Sequence, residues 1–386
     1  MRALKLDGGW SPRCGYLPHP CEVETRKARD ASQVWRNPAL AIVDAPVPSV
    51  KPEEVLIRVI SCGVCGSDVH LAESDATGYT TFSGSAKLPT ILGHEFAGEV
   101  VEIGSDVLDF KVGDLITAES IQWCGKCLSC RSGNVNQCER LQMIGFGVPG
   151  AFAEYIAVNE RFCWSLESLQ SRYGSTQRIS DLGALIEPIG CAYNGMFVAA
   201  GGFLPGQTVA VYGAGPIGLG AIMLARLAGA SQILALDISE YRCQLASKLG
   251  ADQVANPHTL SVEVSEWIME ATQGRGVELQ IEAAGAASET IPQIRKSFAE
   301  NGKMAFLGRQ DSTAPIDFNP IVSKANLMVG ARGHAGHGVF DHVIRLMGSG
   351  RLDPTGMITS TFDFHDVICA IHQAGKLQDG KVMVHL

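Results

Sequence analysis

Val209-Ala-Val-Tyr-Gly213-Ala-Gly215-Pro216-Ile217-Gly218-Leu-Gly220 decides how the chain is built. An apolar strand run comes first, the glycines follow at G-x-G-x-x-G spacing, and a helical pattern begins at Pro216. Gly213 allows a tight turn, Gly215 lets backbone approach a pyrophosphate, and Gly218 lets helix pack closely on strand, while the helix N-terminus offers N–H groups to the anion. Gly213, Gly215, Pro216, Ile217 and Gly218 are therefore candidate dinucleotide-binding residues. About 24 residues beyond Gly213, at the end of the next strand run, stands Asp237. A carboxylate there accepts hydrogen bonds from both ribose hydroxyls and repels a 2′-phosphate, which favours NAD over NADP. Arg242 follows, either as a further cofactor contact or as part of a solvated helix face.

Outward from this loop, apolar runs at 208–212, 232–236, 278–282 and 303–307 alternate with amphipathic helical stretches from about Asp181. That alternation is the pattern of a doubly wound parallel sheet. The preceding chain differs. Residues 1–8 alternate like a strand, 38–60 read as strand, turn and strand, and short strands continue through 96–103, 114–118 and 153–158 between Gly and Asp turns. After about Val339 one helical stretch, 342–348, is followed by strand-like runs that end in Lys381-Val-Met-Val-His-Leu and are expected to rejoin the first domain. The expected architecture is α/β: a β-rich domain over 1–190, completed by about 340–386, and a dinucleotide-binding domain over 191–339. Segment 9–36 has no period and receives no structural assignment.

Composition narrows the function. At 386 residues, 46% hydrophobic and 18% charged, the chain can bury a large core, which excludes extended disorder. A net charge of −9 argues against a nucleic-acid binder, whose phosphate affinity rests on Lys and Arg. The most apolar stretch, 184–204, contains Glu187, Pro188 and Asn194, so no membrane span is expected. The first residues lack a signal-peptide pattern, which places the protein in the cytoplasm. In that reducing compartment 12 cysteines point to metal binding or chemistry rather than disulfides.

Cys124-x-x-Cys127-x-x-Cys130-x7-Cys138 can enclose one tetrahedral ion, with Gly125 and Gly133 letting the loop fold around it. An iron–sulfur cluster is the rival, but the fourth cysteine follows seven residues and precedes no proline, which favours structural zinc. Upstream, Cys62-Gly-Val-Cys65-Gly-Ser67-Asp68-Val-His70 is followed by Gly93-His94-Glu95. A thiolate, an imidazole and a carboxylate from separate segments make a mixed zinc site with a position open for chemistry.

Together these motifs resemble the zinc-dependent medium-chain dehydrogenase/reductase superfamily of alcohol and polyol dehydrogenases, from about Asn37 to Leu386. The resemblance implies a GroES-like catalytic domain, a Rossmann domain, two zinc ions, NAD, and a homodimer or homotetramer. It makes Cys65 and His94 catalytic zinc ligands, Glu95 a ligand or its near neighbour, and Cys124, Cys127, Cys130 and Cys138 the structural site. Leu185-Ile-Glu187-Pro188 matches the polyol branch, where the glutamate approaches the metal directly or through water. Cys191 is the alternative, as the third cysteine ligand of ordinary alcohol dehydrogenases. Ser67 and His70 resemble the family's proton relay, and Asp68 is read as orienting a ligand histidine or as a plain N-cap. Trp10, Val34-Trp35-Arg36-Asn37-Pro38, Trp164-Ser165-Leu166 and Gly333-His334-Ala-Gly-His337-Gly resemble scyllo-inosose (inositol-ketone) dehydrogenases and imply a cyclitol, amino-cyclitol or amino-sugar substrate.

His334 and His337, in a Gly-rich segment after the sheet strands, are substrate candidates because ligand-facing loops of α/β folds lie there. His258, His365, His372 and His385 are read as surface residues. The expected reaction interconverts a ring secondary alcohol with its ketone. A more general polyol or threonine-type dehydrogenase is the alternative, and a non-catalytic NAD and zinc protein a more distant one.

Overall fold

The computed structural model describes residues 1–309 and 313–386. It contains two compact units, Met1–Glu187 with Ser360–Lys376 and Lys381–Leu386, and Pro188–Thr359 with Leu377–Gly380.

In the first unit, strands run in the order Cys163–Ser165, Leu115–Ala118, Glu95–Ile103, Glu54–Gly63, Lys381–His385, with Tyr155–Asn159 also paired to Glu54–Gly63. The strand Lys381–His385 lies antiparallel to Glu54–Gly63, Met383 opposite Gly63. A smaller sheet pairs Arg2–Trp10 with Trp35–Asp44 and Thr90–Ile91. Between these elements, Leu4, Leu6, Ile57, Phe96, Phe146 and Phe152 are fully buried. Each such side chain contributes roughly 1.5–3 kcal/mol through removal from water.

Segment 9–36, silent in the sequence, is held by polar bonds that leave no hydrophobic period. Buried Glu22, in the short helix Pro20–Thr25, accepts N–H bonds from His19 at 2.8 Å and Arg29 at 2.7 Å, and the Tyr16 hydroxyl at 3.1 Å. Arg13 donates to the Ser32 carbonyl and pairs with Asp75, its guanidinium 4.1 Å from the centre of the Tyr79 ring.

The second unit is a parallel sheet in the order Gln253–Ala255, Gln232–Leu236, Thr208–Tyr212, Val277–Glu282, Phe298–Phe306, Leu327–Gly330. Two strands, Thr208–Tyr212 and Gln232–Leu236, start and stop where their apolar runs do. The strand expected at 303–307 begins five residues earlier, at Phe298, and the edge strands Gln253–Ala255 and Leu327–Gly330 carry too little apolar pattern to be read. Helices Pro216–Leu227, Glu240–Lys248, Val264–Ala271 and Ala287–Lys296 intervene between the strands. The helical run Thr176–Ala199 is long and apolar enough to cross a membrane, but 78% of its apolar stretch is buried inside the protein, as in a core helix.

Candidate active site

The loop Cys65 to Asp68 and the turn before strand Glu95–Ile103 build one cluster in the first unit. Cys65 precedes the helix Gly66–Ala72 in extended conformation, and its N–H donates to Asp68 Oδ2 at 3.0 Å. Asp68 Oδ1 accepts the Gly93 N–H at 3.3 Å and lies 3.5 Å from His94 Nδ1. Asp68 thus does both things the sequence offered: it caps the helix and faces the imidazole. At Gly93, φ is +90° and an added Cβ would lie 2.7 Å from the Phe152 nitrogen, so glycine is required where the chain turns to present His94.

The ligating atoms of Cys65, His94 and Glu95 lie within 4.8 Å of one another. His94 and Glu95 are buried, and His94 Nδ1 has no hydrogen-bond partner. Burial opposes charge on His94, yet Asp68 and Cys65 together push its imidazole well above the usual histidine value. A buried thiol, imidazole and carboxylate converging on one point fit a zinc ion, for which they supply S, N and O donors.

Two further residues complete the surroundings. Lys381 is fully buried, donates to the Val64 carbonyl at 2.9 Å and pairs with Glu95 Oε2. Burial raises the Glu95 carboxyl and Lys381 lowers it, leaving it above the ordinary value. Sequence reading missed Lys381; the available signal was a lone cation heading an otherwise apolar strand. Glu187 is also buried, accepts the Ser120 hydroxyl at 3.1 Å, and acts electrostatically on both Glu95 and Lys381. Cys191 falls in the second unit.

Ser67 and His70 stand three residues apart on the helix Gly66–Ala72, a spacing that places them on one face. Ser67 is half-buried, whereas His70 is exposed, with Nδ1 3.4 Å from Thr81 Oγ1. Desolvation by neighbouring protein moves the His70 imidazole below its usual value.

The four cysteines of the lobe bring their sulfurs within 4.8 Å of one another, Cys127 and Cys138 being 3.9 Å apart. Backbone N–H groups of Lys126 and Arg140 point at Cys124 and Cys138 sulfurs, at 3.4 and 3.3 Å. Backbone hydrogen bonds hold the Cys124 thiol down to about 6, the thiolate form a metal needs. Four convergent sulfurs with this backbone support fit a closed zinc site.

In the second unit, Gly213 has φ +93°, and an added Cβ would lie 2.7 Å from the Ala284 nitrogen. A Cβ on Gly218 would lie 1.8 Å from the Gly213 oxygen, so side chains are excluded at both positions. At Gly215 an added Cβ would meet only Arg242 Nη1, at 3.7 Å, so protein packing does not demand glycine there. Asp237 is fixed by the same loop: Oδ2 accepts the Ala214 N–H at 2.7 Å and Oδ1 the Ser239 N–H at 2.8 Å. Arg242 does not lie on a solvated face; it is part-buried beside Gly215 and donates from Nε to the Asp379 carbonyl at 2.8 Å.

The remaining histidines divide differently from the sequence reading. His334 is fully buried and packs on Phe340 with ring centroids 4.8 Å apart, whereas His337 is exposed at φ +55°. His258, His365 and His372 are exposed. His385 departs from expectation: it is part-buried, with Nε2 3.0 Å from Asp181 Oδ1. Its strand position is set by pairing with Ser61, which the terminal sequence alone cannot reveal.

Residues 51–168 match the alcohol dehydrogenase GroES-like domain and residues 216–349 the zinc-binding dehydrogenase domain. The chain is 38% identical to scyllo-inosose 3-dehydrogenase of Thermotoga maritima, over 95% of each chain. It is 37% identical to L-threonine 3-dehydrogenase of Caldanaerobacter subterraneus, over 89% of this chain and 94% of the other. A solved Thermotoga maritima structure described as an alcohol dehydrogenase superimposes with a TM-score of 0.95 at 37% identity, covering 100% of both chains. A GroES-like unit carrying clustered thiol, imidazole and carboxylate donors, beside a parallel-sheet unit with a glycine-rich loop, places this chain in the family of zinc-dependent alcohol and polyol dehydrogenases.

Proposed function

We propose that the protein uses NAD to interconvert a ring secondary alcohol of a cyclitol, or of an amino-cyclitol or amino-sugar, with the corresponding ketone. The observation that carries the reading is the buried convergence of Cys65, His94 and Glu95, taken with 38% identity to a relative named for an inositol ketone. Cys65 and His94 would hold the catalytic zinc, with Glu95 or Glu187 beside it, and the four-cysteine lobe would hold a second ion. When bound, zinc lowers the pKa of the carbinol hydroxyl and NAD accepts the hydride. Asp68 holds the backbone on both sides of the site and orients His94. Lys381 balances the buried carboxylate of Glu95, so the donors can stay clustered away from water. Ser67 takes the proton of the substrate hydroxyl, and His70, exposed on the same helix face, passes it to solvent. Asp237 receives the ribose hydroxyls, and the N–H groups at the start of helix Pro216–Leu227 receive the pyrophosphate.

Threonine oxidation is the competing reading, carried by the 37% identity to a threonine dehydrogenase. NAD reduction measured across inositols, inosamines, sugars, L-threonine and simple diols tests the choice. The highest kcat/KM is expected with a ring polyol; a clear preference for threonine or an acyclic diol would overturn the cyclitol assignment.

A further inference from the structure

We infer that Ser120 is a positioning residue that couples the four-cysteine lobe to the carboxylate of Glu187. The inference rests on the proposed place of Glu187 at the catalytic metal site. Ser120 is 1% exposed and donates its hydroxyl to Glu187 Oε1 at 3.1 Å. A hydrogen bond between two buried groups restricts rotation of the carboxylate, because breaking it would leave both polar groups without compensation from water.

Ser120 is held from the lobe's side. It lies just before the two-residue strand Ile121–Gln122, which pairs with Gln142–Met143 beyond the lobe. Its backbone carbonyl accepts the Ile144 N–H at 3.0 Å, which closes the neck of the loop carrying Cys124, Cys127, Cys130 and Cys138. Arg161 fastens the same neck, donating to the Trp123 carbonyl and lying 4.7 Å over the Trp123 ring. So short a neck transmits order: whatever fixes the cysteines fixes the backbone of Ser120, and through its hydroxyl the orientation of Glu187.

In the zinc-loaded enzyme, Ser120→Ala is expected to lower kcat about tenfold with little change in substrate KM, the lower end of the effect of losing a partner to a metal-site group. Zinc should leave the Cys65 site to a chelator faster by a similar factor, and the visible absorption of cobalt placed at that site should shift. Ser120→Thr, which keeps the hydroxyl, should restore all three. Cys127→Ser, which opens the lobe, should shift the cobalt spectrum as Ser120→Ala does. Unchanged chelation kinetics and cobalt spectrum in Ser120→Ala would overturn the inference, as would a wild-type cobalt spectrum in Cys127→Ser. Glu187→Gln separates the two levels. If it also leaves kcat and the spectrum unaltered, the placement of Glu187 has failed and the inference with it; an effect of Glu187→Gln beside a silent Ser120→Ala removes Ser120 alone.

Discussion

Lys381 and Glu95 form a fully buried ion pair beneath Gly63, where an added Cβ would lie 2.5 Å from Glu95 Oε2. Two charges removed from water are tolerable only together, and glycine at 63 leaves the room they need. Lys381→Met strands the carboxylate and is expected to cost about 3–5 kcal/mol of stability, read from urea midpoints, whereas the double variant with Glu95→Gln should recover most of it. A Lys381→Met protein as stable as wild type would show that the pair contributes no such constraint.

The two metal sites draw on separate ligands, so elemental analysis should return two zinc ions per chain. Cys127→Ser should reduce this to one and lower the melting temperature, because closed thiolate coordination contributes to folding. Cys65→Ser should abolish turnover while the lobe ion and the fold remain. Stoichiometric iron, or a single zinc in the unaltered protein, would contradict the assignment.

Asp237 should favour NAD over NADP by at least about tenfold in kcat/KM, which is about 1.4 kcal/mol. Asp237→Ala should narrow that ratio, although loss of the Ala214 and Ser239 hydrogen bonds will also loosen the loop. Equal use of both cofactors by the unaltered enzyme would mean that Arg242, beside Gly215, offsets the carboxylate.

His70→Ala should slow alcohol oxidation mainly at low pH, where solvent base is scarce, and added imidazole should restore part of the rate. General-base contributions run from about 10² to 10⁴; Ser67→Ala is expected well inside that range and His70→Ala near or below its lower end, since solvent replaces an outer relay member. Rates compared from about pH 6 to 9 decide the matter. An unchanged pH profile with no response to imidazole would remove His70 from the path.

His385 is raised above its ordinary value, first by its hydrogen bond to Asp181. A raised folded value means that the pair stabilises fully below the unfolded histidine value, about 6.5, and that the contribution is lost as pH rises through the folded one. His385→Gln should therefore destabilise by about 1 kcal/mol near pH 5.5 and by less above pH 8, measured by urea denaturation at each pH. A pH-independent difference would assign His385 a packing role.

What the sequence disclosed was local. Gly213, Gly218 and Asp237 sit close along the chain and each is dictated by a turn or a strand end, so spacing alone found them, as it found the four cysteines. Cys65 and His94 were legible because their motif neighbours carry the family resemblance. Lys381, Ser120 and the His385–Asp181 contact were not legible, because each meets its partner only through tertiary structure: Lys381 is 286 residues from Glu95, Ser120 67 from Glu187 and His385 204 from Asp181. Segment 9–36 escaped for another reason, since Glu22 and Arg13 organise it through hydrogen bonds that leave no apolar rhythm.

The strand Lys381–His385 also sets a timetable for synthesis. Glu95 leaves the ribosome with the rest of its β-rich surroundings, but its cation follows 286 residues later, after the entire nucleotide-binding unit. At translation rates of about 5–20 residues per second, that interval is roughly 15–60 seconds. During it the nascent first unit holds an acidic group with no buried counter-charge and a sheet whose Glu54–Gly63 strand lacks one neighbour. The catalytic half of this enzyme, although begun first, is the half that finishes last.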